Sequence, residues 1–140
     1  MLKTQEFSYN GYFFSNNKNL ISLDKVMEFL SKSYWATERS KETVSKSIEN
    51  SECFGVYLDN IQVGFARVIT DYSTTYFLCD VFIDDSHRGK GVGKKLVESI
   101  IYNEELVNLR GLLGTKDAHS LYEKYGFVRD PERFMKRLPK

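Results

Sequence analysis

The chain is predicted to fold as an α/β protein, a mixed central sheet with helices on both faces, built in the order β-α-α-β-β-β-α-β-α-β. Three observations carry this. Short β-branched and aromatic runs bounded by turn residues alternate with stretches whose apolar residues recur at helical spacing. A buried strand, Phe77 to Ile83, passes through a glycine-rich turn straight into an amphipathic helix. No repeat, low-complexity tract or linker divides the 140 residues, so residues 1–140 form a single domain.

Taken in order, Tyr9 to Ser15 reads as a first strand and Asn16 to Asn19 as a polar turn. Ser22 is placed to cap a helix carrying Leu23, Val26, Met27 and Leu30 on one face. Ser40 is placed to cap a second, Lys41 to about Asn50, with Val44 and Ile48 inward. Cys53 to Leu58 and Gln62 to Thr70 read as strands joined at Asp59-Asn60, and Asp71 to Thr75 turns the chain into the central strand. Beyond the long helix come a short strand, Leu109 to Thr115, and a short helix, Ala118 to Tyr125, closed by Gly126. One or two closing strands are expected from Phe127 through Phe134 and Met135, broken by Pro131.

Composition narrows the function classes. Hydrophobic residues at 41% and charged residues at 28% are ordinary globular values, and a net charge of +1 implies no general polyanion partner. Cys53 and Cys79 form no C-x-x-C and read as reduced, buried thiols in a cytoplasmic protein, with no metal. No apolar run approaches the roughly 20 residues of a membrane helix, and the first residues lack a signal peptide's apolar core.

The most informative stretch is Arg88-Gly89-Lys90-Gly91-Val92-Gly93, between the buried strand and a helix with Val92, Leu96, Val97, Ile100 and Ile101 on one face. A glycine turn at a helix N-terminus offers unpaired N–H groups and the positive end of the dipole to an anion. A dinucleotide fingerprint starting at Gly89 needs glycine where Lys94 stands. A Walker A loop needs Ser or Thr at Lys95 and glycine at Arg88. Neither fits, whereas Arg-x-x-Gly-x-Gly does. It resembles the pyrophosphate-binding motif of the GNAT superfamily of N-acetyltransferases, which use acetyl-coenzyme A. Thr115 to Phe127, T-K-D-A-H-S-L-Y-E-K-Y-G-F, resembles the family's A-x-x-L-Y-x-x-x-G-F signature, and the element order is that of the GNAT fold. One departure is Thr115, where many relatives have Asn.

The resemblance implies an acetyl-coenzyme A-dependent N-acetyltransferase working by direct attack of a primary amine on the thioester. The cofactor, a co-substrate, is expected on Arg88, Gly89, Lys90, Gly91, Val92 and Gly93. Its pantetheine arm is expected along Val81, Phe82 and Ile83, where the central strand splays from the strand around Gly111. Tyr122 matches the family tyrosine that protonates the leaving thiolate; a core tyrosine with a satisfied hydroxyl is the other reading. Asp80, a carboxylate inside an apolar run, reads either as the general base or as a hydrogen-bonded structural residue; His87 and His119 are weaker candidates. Strand alternation puts Asp80 and Phe82 on one face, Cys79 and Val81 on the other. Acceptor specificity maps to Tyr34, Trp35 and Arg39 between the first two helices, and to Asp71 and Tyr72 before the central strand. An aromatic pair beside an acid would suit a cationic amine. The expected partner is a small-molecule or peptide amine, with no nucleic acid and no membrane, and a homodimer is an open option. The alternative is a catalytically silent acyl-coenzyme A binding or sensing module on the same fold.

Overall fold

Asn10 and Gly11 both sit at positive φ (51° and 83°), the pairing that a two-residue type I′ hairpin requires. They split the first predicted strand into β1 (Glu6–Tyr9) and β2 (Tyr12–Ser15), which pair antiparallel. This corrects the single strand Tyr9 to Ser15. The computed structural model describes residues 1–140, and its sheet runs β1-β2-β3-β4-β5-β6, with β3 (Glu52–Leu58), β4 (Ile61–Thr70), β5 (Thr75–Ile83) and β6 (Arg110–Leu113). All neighbours are antiparallel except β5 and β6, which are parallel.

The capping residues stop and start the helices as the sequence implies. Ser22 Oγ accepts from Lys25 N–H at the head of α1 (Leu23–Ser31), and Ser40 Oγ from Thr43 N–H at the head of α2 (Lys41–Glu49). Both helices cover one sheet face, burying Val26, Phe29, Leu30 and Val44 against Phe65 and Phe82. The other face is covered by α3 (Val92–Ile101) and the short α4 (His119–Glu123). Val92, Leu96, Val97, Ile100 and Ile101 are buried there with Phe54, Val68 and Leu78. Each such side chain contributes on the order of 2 kcal/mol of transfer free energy.

No strand follows α4, which corrects the expected closing strands; the sixth strand comes from the N-terminal hairpin instead. Phe127 alone of the final segment packs, its ring 6.0 Å from that of Tyr122. Pro131 has no N–H to give a ladder, and a turn forms around it, Arg133 N–H to Asp130 C=O at 3.4 Å. Val128, Phe134, Met135 and Leu138 are exposed among many charges, so this segment has little apolar area to offset ordering.

Two features of β5 position the site. Its pairing with β6 covers Thr75–Leu78 against Arg110–Leu113 and then ends, while β5 runs on from Cys79 to Ile83 with no β6 partner. The strands therefore part beyond Leu113, not at Gly111, which pairs with Tyr76. Second, Arg67 faces Cys79 while Phe65 faces Phe82, so Asp80 and Val81 together oppose Ala66. This is a β-bulge with Asp80 in the left-handed region at φ 54°. The bulge reverses the alternation. Tyr76, Leu78, Val81 and Ile83 pack on the α3 side and Phe82 on the α1/α2 side, so Cys79 and Val81 do not share a face.

Candidate active site

At the end of β5 the chain turns through Gly89 (φ 78°) and Gly91 (φ 77°). An L side chain at either position would be strained, and no other atom crowds them: an added Cβ meets nothing within 4 Å at Gly89 and only Tyr9 Oη, 3.7 Å away, at Gly91. Gly93 lets α3 begin tightly against β5, since a Cβ there would stand 3.3 Å from Ile83 Cγ1. Lys95 N–H is the first to enter the helix ladder, to Gly91 C=O at 3.0 Å. The N–H groups from Gly89 to Lys94 have no protein acceptor. They form a concave set of donors at the positive end of α3. Lys90 and Lys94 are exposed and unpaired beside them; Lys95 is held over the rings of Tyr9 and Phe7 (5.2 and 5.8 Å) and pairs with Glu98.

Arg88 does not extend freely. Its Nε donates to Ile83 C=O at 2.9 Å, Nη1 pairs with Asp85 at 3.1 Å, and the guanidinium lies 5.0 Å from the Phe82 ring centre. It ties the glycine turn to the end of β5 while remaining half exposed. The Ile83 carbonyl, one of the groups expected to face the pantetheine arm, is thereby taken. His87 Nδ1 is likewise engaged, 2.9 Å from Tyr12 Oη.

Tyr122 is buried in the α3-side core with 8% of its surface exposed. Burial pushes its hydroxyl up to about 12, with Tyr34 and Asp117 acting in the same direction. Neighbouring tyrosines are satisfied: Tyr34 Oη accepts from Lys116 N–H and Tyr125 Oη donates to Glu98, whereas that of Tyr122 has no protein partner. Tyr122 also lines a cleft of about 360 Å³ with Gly114, Thr115, His119 and Phe127, between β6, α4 and the final segment. Thr115 Oγ1 accepts from Ala118 N–H at 3.0 Å, leading the chain into α4.

On the other sheet face the bulge aims Asp80 into a polar cluster. Its Oδ1 accepts from Trp35 Nε1 at 3.0 Å, and Oδ2 from Arg39 Nη1 at 2.8 Å and Arg67 Nε at 2.9 Å. Arg67 Nη1 continues to Ser51 Oγ at 3.0 Å. Both carboxylate oxygens are thus committed, one of them to two guanidinium groups. Of the two readings of Asp80, this geometry is the one the hydrogen-bonded residue calls for. Arg67 and Ser51 were not legible as site residues. The signal for Arg67 was present, however: a lone cation in the apolar run of β4 and a lone anion in that of β5.

Tyr34 and Trp35 come together at the mouth of the gap between β5 and β6. Their rings meet edge to face at 5.0 Å, Trp35 reaching Asp80 and Tyr34 the Lys116 amide, with Lys116 Nζ 5.3 Å from the Tyr34 ring. Tyr72 does not join them. It takes φ 62° in the β4–β5 turn, and its hydroxyl donates to Glu52 on the α3 side of the sheet. Asp71 caps that turn, accepting from the Ser73, Thr74 and Thr75 amides. Both are corrections to the acceptor-site expectation. No group of His, Cys, Asp and Glu is arranged to hold a metal, and no helix is long and apolar enough to cross a membrane.

Comparison with known proteins agrees with this architecture. Residues 49–129, over half the chain and all of the β3–α4 region, match the acetyltransferase (GNAT) domain family. A crystal structure of a protein from Xanthomonas campestris pv. campestris, assigned as an acetyltransferase of the GNAT family, superposes with a TM-score of 0.88 at 36% identity, covering 94% of this chain and 96% of that one. A protein of Gibberella zeae assigned as an acetyltransferase is 28% identical over 94% of this chain and 87% of its own length. A GNAT acetyltransferase from Elizabethkingia anophelis, solved with acetyl-CoA bound, shares the fold at a TM-score of 0.65 and 16% identity, over 86% of this chain and 78% of that one. With a strand, a glycine turn and a helix N-terminus offering a row of free amides, and with the family match spanning them, the chain belongs to the GNAT acetyltransferase family.

Proposed function

We propose that the chain is an acetyl-coenzyme A-dependent N-acetyltransferase that acts on a primary amine. The observation that carries this is the run of unsatisfied N–H groups from Gly89 to Lys94, beside the stretch of β5 that β6 has left. Those amides suit a pyrophosphate, and the left-handed glycines let it approach the backbone closely. The cofactor seen in the Elizabethkingia relative is of this kind. When bound, acetyl-coenzyme A supplies the acetyl thioester: the amine nitrogen bonds to the carbonyl carbon, the carbon–sulfur bond breaks, and the amine's proton is lost to solvent.

The chain's own residues orient, stabilise and exclude. Gly89 to Lys94 hold the diphosphate, with Lys90 and Lys94 adding charge. The backbone groups in the stretch of β5 that β6 has left provide donors beside the reacting carbonyl. Tyr122, kept protonated by burial, donates its free hydroxyl to sulfur as negative charge builds there. Asp80 holds Trp35 and Arg39 in place rather than taking a proton, so the acceptor loses its proton through water. Release of free thiol from acetyl-coenzyme A, screened against amines and peptides, tests the reading. Turnover with any acceptor supports it; calorimetric binding without turnover would favour the silent acyl-coenzyme A module.

A further inference from the structure

We propose that Arg39 is a specificity-determining residue that binds an anionic group, a carboxylate or phosphate, on the acceptor amine. The inference rests on the acetyltransferase reading and deepens it. The cluster beside the β5–β6 gap holds one carboxylate, Asp80, against two guanidinium groups, Arg39 and Arg67, which pair with no other acid. Arginine does not deprotonate in proteins, so the cluster keeps an uncompensated positive charge. Arg67 is spent inside the fold: its side chain is 11% exposed and its Nε and Nη1 are bonded to Asp80 and Ser51. Arg39 is not. Its side chain is 31% exposed and gives only Nη1 to Asp80, leaving Nε and Nη2 without a protein acceptor.

The position is fixed from both sides. Ser33 Oγ donates to Leu30 C=O and accepts from Ala36 N–H, and Ala36 is buried, so the segment from Ser33 to Arg39 is pinned to the end of α1. Trp35 and Arg39 are anchored on the bulge and Tyr34 on the loop before α4, the element that carries Tyr122. An amine entering between the aromatic rings and the gap passes the free edge of the Arg39 fork. A forked guanidinium pairs bidentately with a carboxylate or phosphate. A simple cationic amine would instead meet like charge, the reverse of the expectation drawn from an acid beside an aromatic pair.

Matched acceptors test this: the common L-amino acids against their α-carboxamides, and O-phosphoethanolamine against ethanolamine, with thiol release as the readout. The anionic member of a pair should show a kcat/KM about 10- to 100-fold higher, the scale of a charge-assisted hydrogen bond. Arg39→Gln should bring the two members of the pair together, chiefly through KM, with acetyl-coenzyme A affinity unchanged by calorimetry. Arg39→Lys should restore part of the preference. Preference for only the carboxylates or only the phosphate identifies the anion. Equal turnover of both members by the unaltered protein, or an Arg39→Gln loss that falls alike on both, overturns the proposal. Should no amine release thiol, the same pairs are titrated into the coenzyme A complex. Anion-selective binding lost in Arg39→Gln would then sink the acetyltransferase reading and leave the anion subsite standing, and unselective binding would sink the subsite.

Discussion

The proposed donor and acceptor sides of the site are built from different materials. On the donor side, Gly89 to Lys94 present backbone amides, and what the segment requires of its residues is mainly conformation and the absence of side chains. On the acceptor side, Trp35, Arg39, Arg67 and Asp80 are joined by side-chain hydrogen bonds between segments far apart in the chain. A backbone site tolerates charge changes around it but no added Cβ or carboxylate within. A side-chain network tolerates change at its exposed rim but not at its buried centre. Substitutions on each side should therefore fail in different ways.

The largest effect is expected at Gly91→Glu, which forces an L residue to φ 77° and brings a negative charge to the amides. Binding of coenzyme A should fall below calorimetric detection while the fold persists; undiminished affinity in a folded variant would remove the backbone cradle from the account. Asp80→Asn should fail on stability, because removing the charge strands two guanidinium groups. A loss of about 3 kcal/mol is expected in denaturant unfolding. The kcat/KM–pH profile should keep its acid limb; flattening of that limb would return Asp80 to the role of base.

Tyr122→Phe keeps the ring in the core and deletes only the hydroxyl. It should lower kcat by about 10²-fold with cofactor affinity unchanged, and full activity with a lowered melting temperature would make Tyr122 a packing residue. Arg88→Ala should weaken coenzyme A binding by about 1 kcal/mol. Its ties to Ile83 and Asp85 make it a brace for the cradle more than a ligand, and a loss far larger than this would reverse that order. Tyr57→Phe, remote from both sides, should have the smallest effect. The Tyr57 hydroxyl is buried without a partner, so its removal should leave stability unchanged or raise it by about 1 kcal/mol, read as a shift in denaturation midpoint.

The same division explains what was legible. The strand, glycine turn and helix start of the proposed donor side were located from the sequence, because a strand, spaced glycines and a 3.6-residue period lie in one continuous stretch. The family resemblance reached Tyr122 in the same way. The acceptor side was read by neighbourhood alone, and Tyr72 was misplaced because its direction depends on Glu52 across the sheet. Asp80 was found with both roles left open, and its partner Arg67 was not, since Arg67 enters only through β4–β5 register. Within the fold, Asn10-Gly11 carried a strong hairpin signal and was overlooked, whereas the apolar spacing after Phe127 suggested strands that charges and Pro131 leave unformed. The splay of β5 from β6 has no local signature at all.

The bulge at Asp80 also sets which kinds of change β5 can absorb. Straightening the strand there with every residue kept would restore plain two-residue alternation. It would also turn Phe82 out of its stack with Phe29, where the rings lie 5.3 Å apart, and exchange it with Ile83 between the two cores. The glycine turn would rotate with them, because Arg88 hangs from the Ile83 carbonyl. Substitutions along β5 can be met by local repacking, but loss of the kink with the extra residue still in the strand cannot. The backbone conformation at Asp80 is thus as much a part of the site as the carboxylate it carries.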